Sequence, residues 1–330
     1  MKIVADSKIP FLQGLLETVA QEVVYVPGAE ITSQVVRDAQ VLLTRTRTRC
    51  DSGLLEGSKV EFIGTATIGT DHIDLDYCRQ HGITVVNAPG CNAPAVAQWV
   101  HASILEWKAA RNVQRPITLG IVGVGHVGSI VARWAQQLGY RVLLNDPPRA
   151  EREGNEMFEA LDVLQRECDV ITFHTPLTSD GKCPTWHLCD EEFLIGLEHC
   201  RLILNAARGA VVDNEALVRW QGDVALDCWE GEPNINEQLL DKAFVATPHI
   251  AGYSLQGKQR GTAMILEALN RRYCWNINPV VACTPLAGAE QISAECILSS
   301  YSPLADTARL KAAPARFENM RNTYQLRNEV

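Results

Sequence analysis

No apolar run of about 18 residues or more occurs in this 330-residue chain, so no segment is expected to span a membrane. A Cys-x-x-Cys pair is also missing. The 11 cysteines are odd in number and scattered from Cys50 to Cys296, which fits a reduced thiol set; no disulfide framework and no metal ligand set is expected. The opening Met1-Lys-Ile-Val-Ala-Asp6 reads directly as a strand, without the apolar stretch and small-residue cleavage site of a signal peptide, and a cytoplasmic location is expected. Basic residues are in deficit. Lys and Arg number 30 against 39 Asp and Glu, a net charge of -9, which argues against nucleic acid or an anionic membrane as partner. Any anionic ligand must then be held by local positive charge. Internal repeats and low-complexity tracts are absent.

What the chain does have is a glycine fingerprint deep in its sequence: Gly123, Gly125 and Gly128 in Leu119-Gly-Ile-Val-Gly-Val-Gly-His-Val-Gly128. The apolar run Ile117 to Val122 predicts a buried parallel strand, and the Gly-x-Gly-x-x-Gly turn delivers the chain into a helix from about His126 to Leu138. Gly123 makes the tight turn, Gly125 lets backbone N–H groups approach a pyrophosphate at the helix N-terminus, and Gly128 lets helix and strand pack closely. Alone, the motif is weak evidence, because glycine punctuates many strand-to-helix turns. Context strengthens it. A second strand, Arg141 to Leu144, ends at Asn145-Asp146, which puts Asp146 near the distance of about 20 residues expected for the acid that binds the adenosine ribose. A carboxylate there accepts from both ribose hydroxyls and repels a 2′-phosphate, which favours NAD over NADP.

Short apolar strands alternate with helical patterns on both sides of the fingerprint, the signature of parallel α/β domains. Ahead of it they are Ile3 to Ala5, Val23 to Val26, Val41 to Thr44, Phe62 to Gly64 and Thr84 to Asn87; behind it, Val170 to His174, Leu202 to Asn205, Val224 to Leu226 and Phe244 to Ala246. A helix from about Asn92 to Arg111 joins the two sets, and a long helix after Gly252 is expected to return to the first domain.

Ligands of open α/β sheets sit at the carboxyl ends of the strands, and three strand ends behind the fingerprint each offer an ionisable group. They are Arg208 in Asn205-Ala-Ala-Arg-Gly209, Glu232 in Leu226-Asp-Cys-Trp-Glu-Gly-Glu-Pro233, and His249 in Thr247-Pro-His-Ile-Ala-Gly-Tyr253. Oxidising an alcohol with NAD⁺ requires a base for the hydroxyl proton, and an imidazole titrates near the working pH. Glu232, bonded to the other ring nitrogen, would fix the tautomer. Arg208 would hold a substrate carboxylate in its planar donor fork. Asp227, or backbone beside it, would receive the nicotinamide carboxamide. Each residue alone has a plainer reading: a satisfied loop histidine, an ion-paired arginine, a solvated acid. Their joint position at the ends of one sheet favours catalysis.

The order and wording of these segments resemble the D-2-hydroxyacid dehydrogenase family. The resemblance rests on the fingerprint with Asp146, His174-Thr-Pro-Leu177, the run Asn205 to Asn214, Trp229-Glu-Gly-Glu-Pro233 and His249-Ile-Ala-Gly-Tyr253. Gly64-Thr-Ala-Thr-Ile-Gly-Thr-Asp-His72 and Ala88-Pro-Gly-Cys-Asn-Ala93 extend it into the first domain, so that it covers about the first 270 residues. It implies NAD-dependent oxidation of a phosphorylated 2-hydroxy acid by a homodimer, with Arg208 and Glu232 in the active site and His249 transferring the proton. It further implies cofactor contacts at His126, Val127, Asp146, Thr175, Ala206, Ala207, Arg208, Asp227 and Gly252. Substrate contacts would fall on Thr46, Thr67 and Tyr253, Thr46 standing where the family pattern has serine. The implied fold class is α/β: a Rossmann-type NAD-binding domain (residues 93–252) inserted in a flavodoxin-like α/β substrate domain (1–92, completed by about 253–270). A small C-terminal dimerisation segment (271–330) would follow.

Thr44-Arg-Thr-Arg-Thr-Arg49 suggests one more site. If that segment stays extended, Arg45, Arg47 and Arg49 share a face that could neutralise a substrate phosphate, although solvated edge charges explain them equally well. Two other functions stay open: a family member acting on another hydroxy acid such as a glycerate, lactate or phosphoglycerate, and a non-catalytic NAD sensor on the same fold. A sensor has no use for Arg208, Glu232 and His249.

Overall fold

The computed structural model describes residues 1–278 and 292–330. Two compact units divide them: Met1–Asn92 with residues 255–278, and Ala93–Ser254 with residues 292–330.

The first unit is built on β1 (Lys2–Asp6), β2 (Glu22–Val26), β3 (Val41–Thr44), β4 (Phe62–Thr65) and β5 (Thr84–Val86), all parallel in the order β2-β1-β3-β4-β5. This is the flavodoxin-like order. β3 and β4 are buried throughout, in keeping with their mainly apolar sequences, whereas the outer strands β2 and β5 are half exposed. Alternate residues feed two cores: Ile3, Leu43 and Phe62 pack with Ile265 and Leu269 of the helix Leu255–Tyr273, while Val4, Leu42 and Ile63 pack with Val36 and Leu55. The long helix lies close against the sheet. A Cβ on Gly64 would sit 2.6 Å from a methyl of Ile265.

β3 stops at Thr44, and the expected arginine face does not form. The chain turns over residues 46–48, with Thr48 buried and its hydroxyl donating to Gly28 O at 2.9 Å. Arg45 instead donates to Lys8 O at 3.0 Å, and Arg49 pairs with Asp51 at 2.7 Å. Alternation along a strand cannot line up side chains once the strand has ended.

The second unit carries β6 (Thr118–Val122), β7 (Arg141–Asn145), β8 (Val170–Phe173), β9 (Leu202–Asn205), β10 (Asp223–Leu226) and β11 (Val245–Ala246), parallel in the order β11-β10-β9-β8-β6-β7. β6 is flanked by β7 and β8, so the strand order reverses beside it; the fingerprint therefore emerges at the switch point of the sheet. The helix Ala93–Ala110 is buried along most of its length, and Trp99 and Trp107 from it join Trp134, Ile121 and Leu204 in one core.

The C-terminal stretch is not a segment apart. From Ile292 onward it belongs to the second unit, with Ile297, Leu310 and Phe317 buried in the cores of that sheet. Thr307 Oγ1 accepts the N–H of Ala246 at 3.0 Å, which satisfies a donor on the edge strand β11 that would otherwise lie open. The short helix Leu304–Ala312 does this covering, while Ala294–Ser300 packs on the helix Ala93–Ala110.

Candidate active site

The three fingerprint glycines have three different surroundings. Gly123 holds φ +88°, and a Cβ there would lie 2.8 Å from the backbone of His174. Gly128 permits contact, since its Cβ would fall 2.1 Å from Gly123 O. At Gly125 an added Cβ meets nothing within 4 Å. Gly125 is thus no packing requirement; it leaves open space at the N-terminus of the helix His126–Gln137, where as N-cap it has no side chain to bond the first turn. Backbone N–H groups at such a terminus suit a pyrophosphate. His126 and Val127 lie in that first turn.

Asp146 follows β7 and orders the turn from both ends. One carboxylate oxygen accepts Val124 N at 2.8 Å, and the other accepts Arg149 N at 3.0 Å. Arg149, the cation that could otherwise welcome a 2′-phosphate, is engaged by Glu153 at 2.6 and 3.0 Å and by Val124 O at 2.5 Å. Across the switch point, Thr175 Oγ1 is buried without a hydrogen-bond partner among the described residues, an orphaned polar atom that a bound ligand would satisfy. Open space at Gly125, the acid at 146 and the orphan hydroxyl at 175 together fit a dinucleotide.

The ends of β9, β10 and β11 hold the ionisable groups. After β9, buried Asn205 braces the loop that presents Arg208: its amide donates to Arg208 O at 2.8 Å and its carbonyl accepts Ala207 N at 3.0 Å. Gly209 lets this loop approach the next one, for a Cβ there would lie 2.1 Å from Trp229 O. Cys228 Sγ also donates to Ala207 O at 3.5 Å.

Asp227, 2 % exposed at the end of β10, organises the turn after β11. Its carboxylate accepts the Thr247 hydroxyl at 2.6 Å, Ile250 N at 2.7 Å and Ala251 N at 2.9 Å, while its backbone carbonyl accepts His249 N at 2.9 Å. Most of its acceptor capacity is thereby committed inside the protein. That grip sustains His249 at φ +57°, a left-handed conformation that costs a non-glycine residue about 1 kcal/mol or more.

His249 Nδ1 stands 2.8 Å from Glu232 Oε2, and Glu232 Oε1 accepts Trp229 N at 2.8 Å. Burial disfavours the imidazolium, but Cys228 and Glu232 outweigh it and hold the His249 pKa well above the ordinary histidine value. Burial likewise raises the pKa of the Cys228 thiol. Burial pushes the Glu232 carboxyl up, yet the bond to His249 prevails and its pKa is lowered.

His249 and Glu232 are therefore in contact, Cys228 hydrogen-bonds His249, and Arg208 donates to Ala207 O, the carbonyl that also accepts from Cys228. Cys228 is the residue that sequence reasoning passed over, although it lies inside the run quoted for Glu232. Tyr253 packs edge-on against Tyr324, with ring centroids 6.1 Å apart. In the first unit Thr46 is exposed just past β3, and Thr67 just past β4, its hydroxyl 2.7 Å from that of Thr65. Thr44 and Thr65 are register partners, so both threonines stand at the carboxyl edge of that sheet.

Residues 92–251 match the model of the D-isomer specific 2-hydroxyacid dehydrogenase NAD binding domain. The erythronate-4-phosphate dehydrogenase of Bacteroides thetaiotaomicron is 47% identical over all of this chain and 97% of its own length. That of Porphyromonas gingivalis is 40% identical over 98% of this chain and 92% of its own length. Among solved structures, the NAD⁺-bound 3-phosphoglycerate dehydrogenase of Entamoeba histolytica superposes with a TM-score of 0.68 at 26% identity, over 84% of this chain and 97% of that one. The chain belongs to the D-isomer specific 2-hydroxyacid dehydrogenase family, among its erythronate-4-phosphate dehydrogenases.

Proposed function

We propose that this NAD-dependent dehydrogenase oxidises 4-phospho-D-erythronate at C2, giving (R)-3-hydroxy-2-oxo-4-phosphooxybutanoate in pyridoxal 5′-phosphate biosynthesis. The single observation that carries the chemistry is the 2.8 Å bond between His249 Nδ1 and Glu232. With Nδ1–H donated to the carboxylate, the lone pair of Nε2 is left to take the C2 hydroxyl proton of the substrate. NAD⁺, when bound, accepts the C2 hydride. Glu232 holds the tautomer and stabilises the imidazolium as it forms; Arg208 grips the substrate carboxylate and polarises the carbonyl.

His126, Val127, Asp146, Thr175, the loop Ala206 to Arg208, Asp227 and Gly252 are proposed as the cofactor's contacts. Substrate contacts are assigned to Arg45, Thr46 and Thr67 in the first unit, which we read as the substrate domain, and to Tyr253 in the second. The active protein is proposed to be a cytoplasmic homodimer. Ten described cysteines without a disulfide support a reducing compartment, and no described helix is long and apolar enough to cross a membrane. Purified protein given 4-phosphoerythronate, 3-phosphoglycerate and D-lactate with NAD⁺ tests the substrate assignment. Preferential turnover of the first supports it, and preference for either of the others replaces it.

A further inference from the structure

Arg327 lies 77 residues beyond Ile250, in a stretch whose sequence announces no chemistry, and it is 9 % exposed. A guanidinium carries five N–H donors, and each finds an acceptor here. Nε donates to Gln98 Oε1 at 3.1 Å. Nη1 donates to Ile250 O at 3.0 Å and Tyr253 O at 3.2 Å, and Nη2 to Ala95 O at 3.0 Å and to Ala251 O. Three of the five acceptors are therefore carbonyls of the four residues that follow His249. Tyr301 lies over the guanidinium at 4.3 Å, and among the described residues no carboxylate is a hydrogen-bond partner.

The same peptide groups are held from the other side. Asp227 accepts the N–H groups of Ile250 and Ala251, and Arg327 donates to their carbonyls. Further ties fix Arg327 itself. Residue 327 pairs with Ser254 as a parallel bridge, the Ser254 hydroxyl donates to Glu329 at 2.6 Å, and Gln98 donates to Asn328 O at 3.1 Å. A buried cation with three donors on one short loop and two on the helix Ala93–Ala110 has a specific geometric effect: it restrains that loop from relaxing the left-handed backbone at His249.

We infer that Arg327 is a positioning residue for proton transfer, fixing through the carbonyls of Ile250, Ala251 and Tyr253 the loop that carries His249. The inference rests on the role proposed for His249. Its test has a readout that needs no substrate.

Full-length Arg327→Ala and Arg327→Lys proteins, checked for folding by circular dichroism, would be compared with wild type by amide hydrogen exchange and by kinetics. Exchange at residues 250–254 is expected to rise by about tenfold while β6 to β10 stay protected. The kcat should fall by about 10- to 100-fold, with KM for NAD⁺ within about threefold, and the pH limb attributed to His249 should move. Low millimolar guanidinium should partly restore Arg327→Ala. Should Arg327→Ala not fold, Arg327→Lys decides: it keeps the charge but not the donor fork. A folded variant with wild-type kcat and pH profile, or exchange raised evenly across the second unit, overturns the inference. Localised exchange in a protein that turns over no 4-phosphoerythronate would leave Arg327's hold on the loop standing and remove the substrate reading.

Discussion

The two oxygens of Glu232 divide their work: Oε2 meets His249 Nδ1 at 2.8 Å, and Oε1 takes the backbone N–H of Trp229, also at 2.8 Å. The second bond anchors the carboxylate to its own turn, so the first can orient the imidazole. Trp229 is fixed in turn by its indole N–H, which donates to Thr247 O at 3.0 Å. The base and its partner are thus braced by the ends of β10 and β11 together.

A pH dependence follows directly. Oxidation requires neutral His249, whose pKa is held above the ordinary value, so kcat/KM should rise with pH and level off only above that raised value. Glu232→Gln removes the anion that stabilises the imidazolium; the limb should shift to lower pH while kcat drops about 10- to 100-fold. His249→Gln should lose about 10²- to 10⁴-fold in kcat with NAD⁺ affinity nearly unchanged, measured by titration of the folded variant.

The same pair predicts how stability varies. Because the folded pKa of His249 is raised, its contribution is full below the unfolded-state value of about 6.5 and is lost as pH rises through the folded value. For Glu232, whose folded pKa is lowered, the contribution is present above the unfolded value and lost as pH falls. The difference in Tm between wild type and His249→Gln should therefore shrink in alkaline buffer.

Gly125→Ala and Gly128→Ala separate the fold from the cofactor. The first adds a methyl into open space, so Tm should hold while Kd for NAD⁺ rises about tenfold or more. The second drives a Cβ onto Gly123 O and should cost about 1–3 kcal/mol, a fall of several degrees in Tm. Equal Tm in both variants would contradict the assignment.

Cofactor choice should depend on two residues rather than one. Asp146→Ser should weaken NAD⁺ without opening the site to NADP⁺, because Arg149 remains clamped by Glu153. Adding Glu153→Gln removes the ion pair and leaves the guanidinium only its bond to Val124 O, and the double variant should gain measurable NADP⁺ turnover.

Much of this was legible in the sequence, because the information was local. β3 and β9 run over the predicted residues, and the fingerprint helix begins at His126, since buried parallel strands and glycine turns write themselves as short apolar runs and punctuation. The His249–Glu232 contact was readable from chemistry placed at strand ends. Three features were not. The arginine run after Thr44 has the alternation of a strand, yet Thr48 turns inward to Gly28 O and ends the extension. Cys228 was hidden by its neighbours in a motif quoted for other residues. Arg327 was invisible because the loop and helix oxygens that it grips lie 74 or more residues away, and no spacing rule reaches that far.

The most direct test of the account is product formation from 4-phospho-D-erythronate. The protein would be incubated with that acid and NAD⁺, with an acceptor supplied to reoxidise bound NADH, and the 2-oxo acid would be followed by mass spectrometry. Wild type should form (R)-3-hydroxy-2-oxo-4-phosphooxybutanoate, and His249→Gln should not. Firm NAD⁺ binding without any 2-oxo acid, or equal turnover of the unphosphorylated acid, would contradict the account.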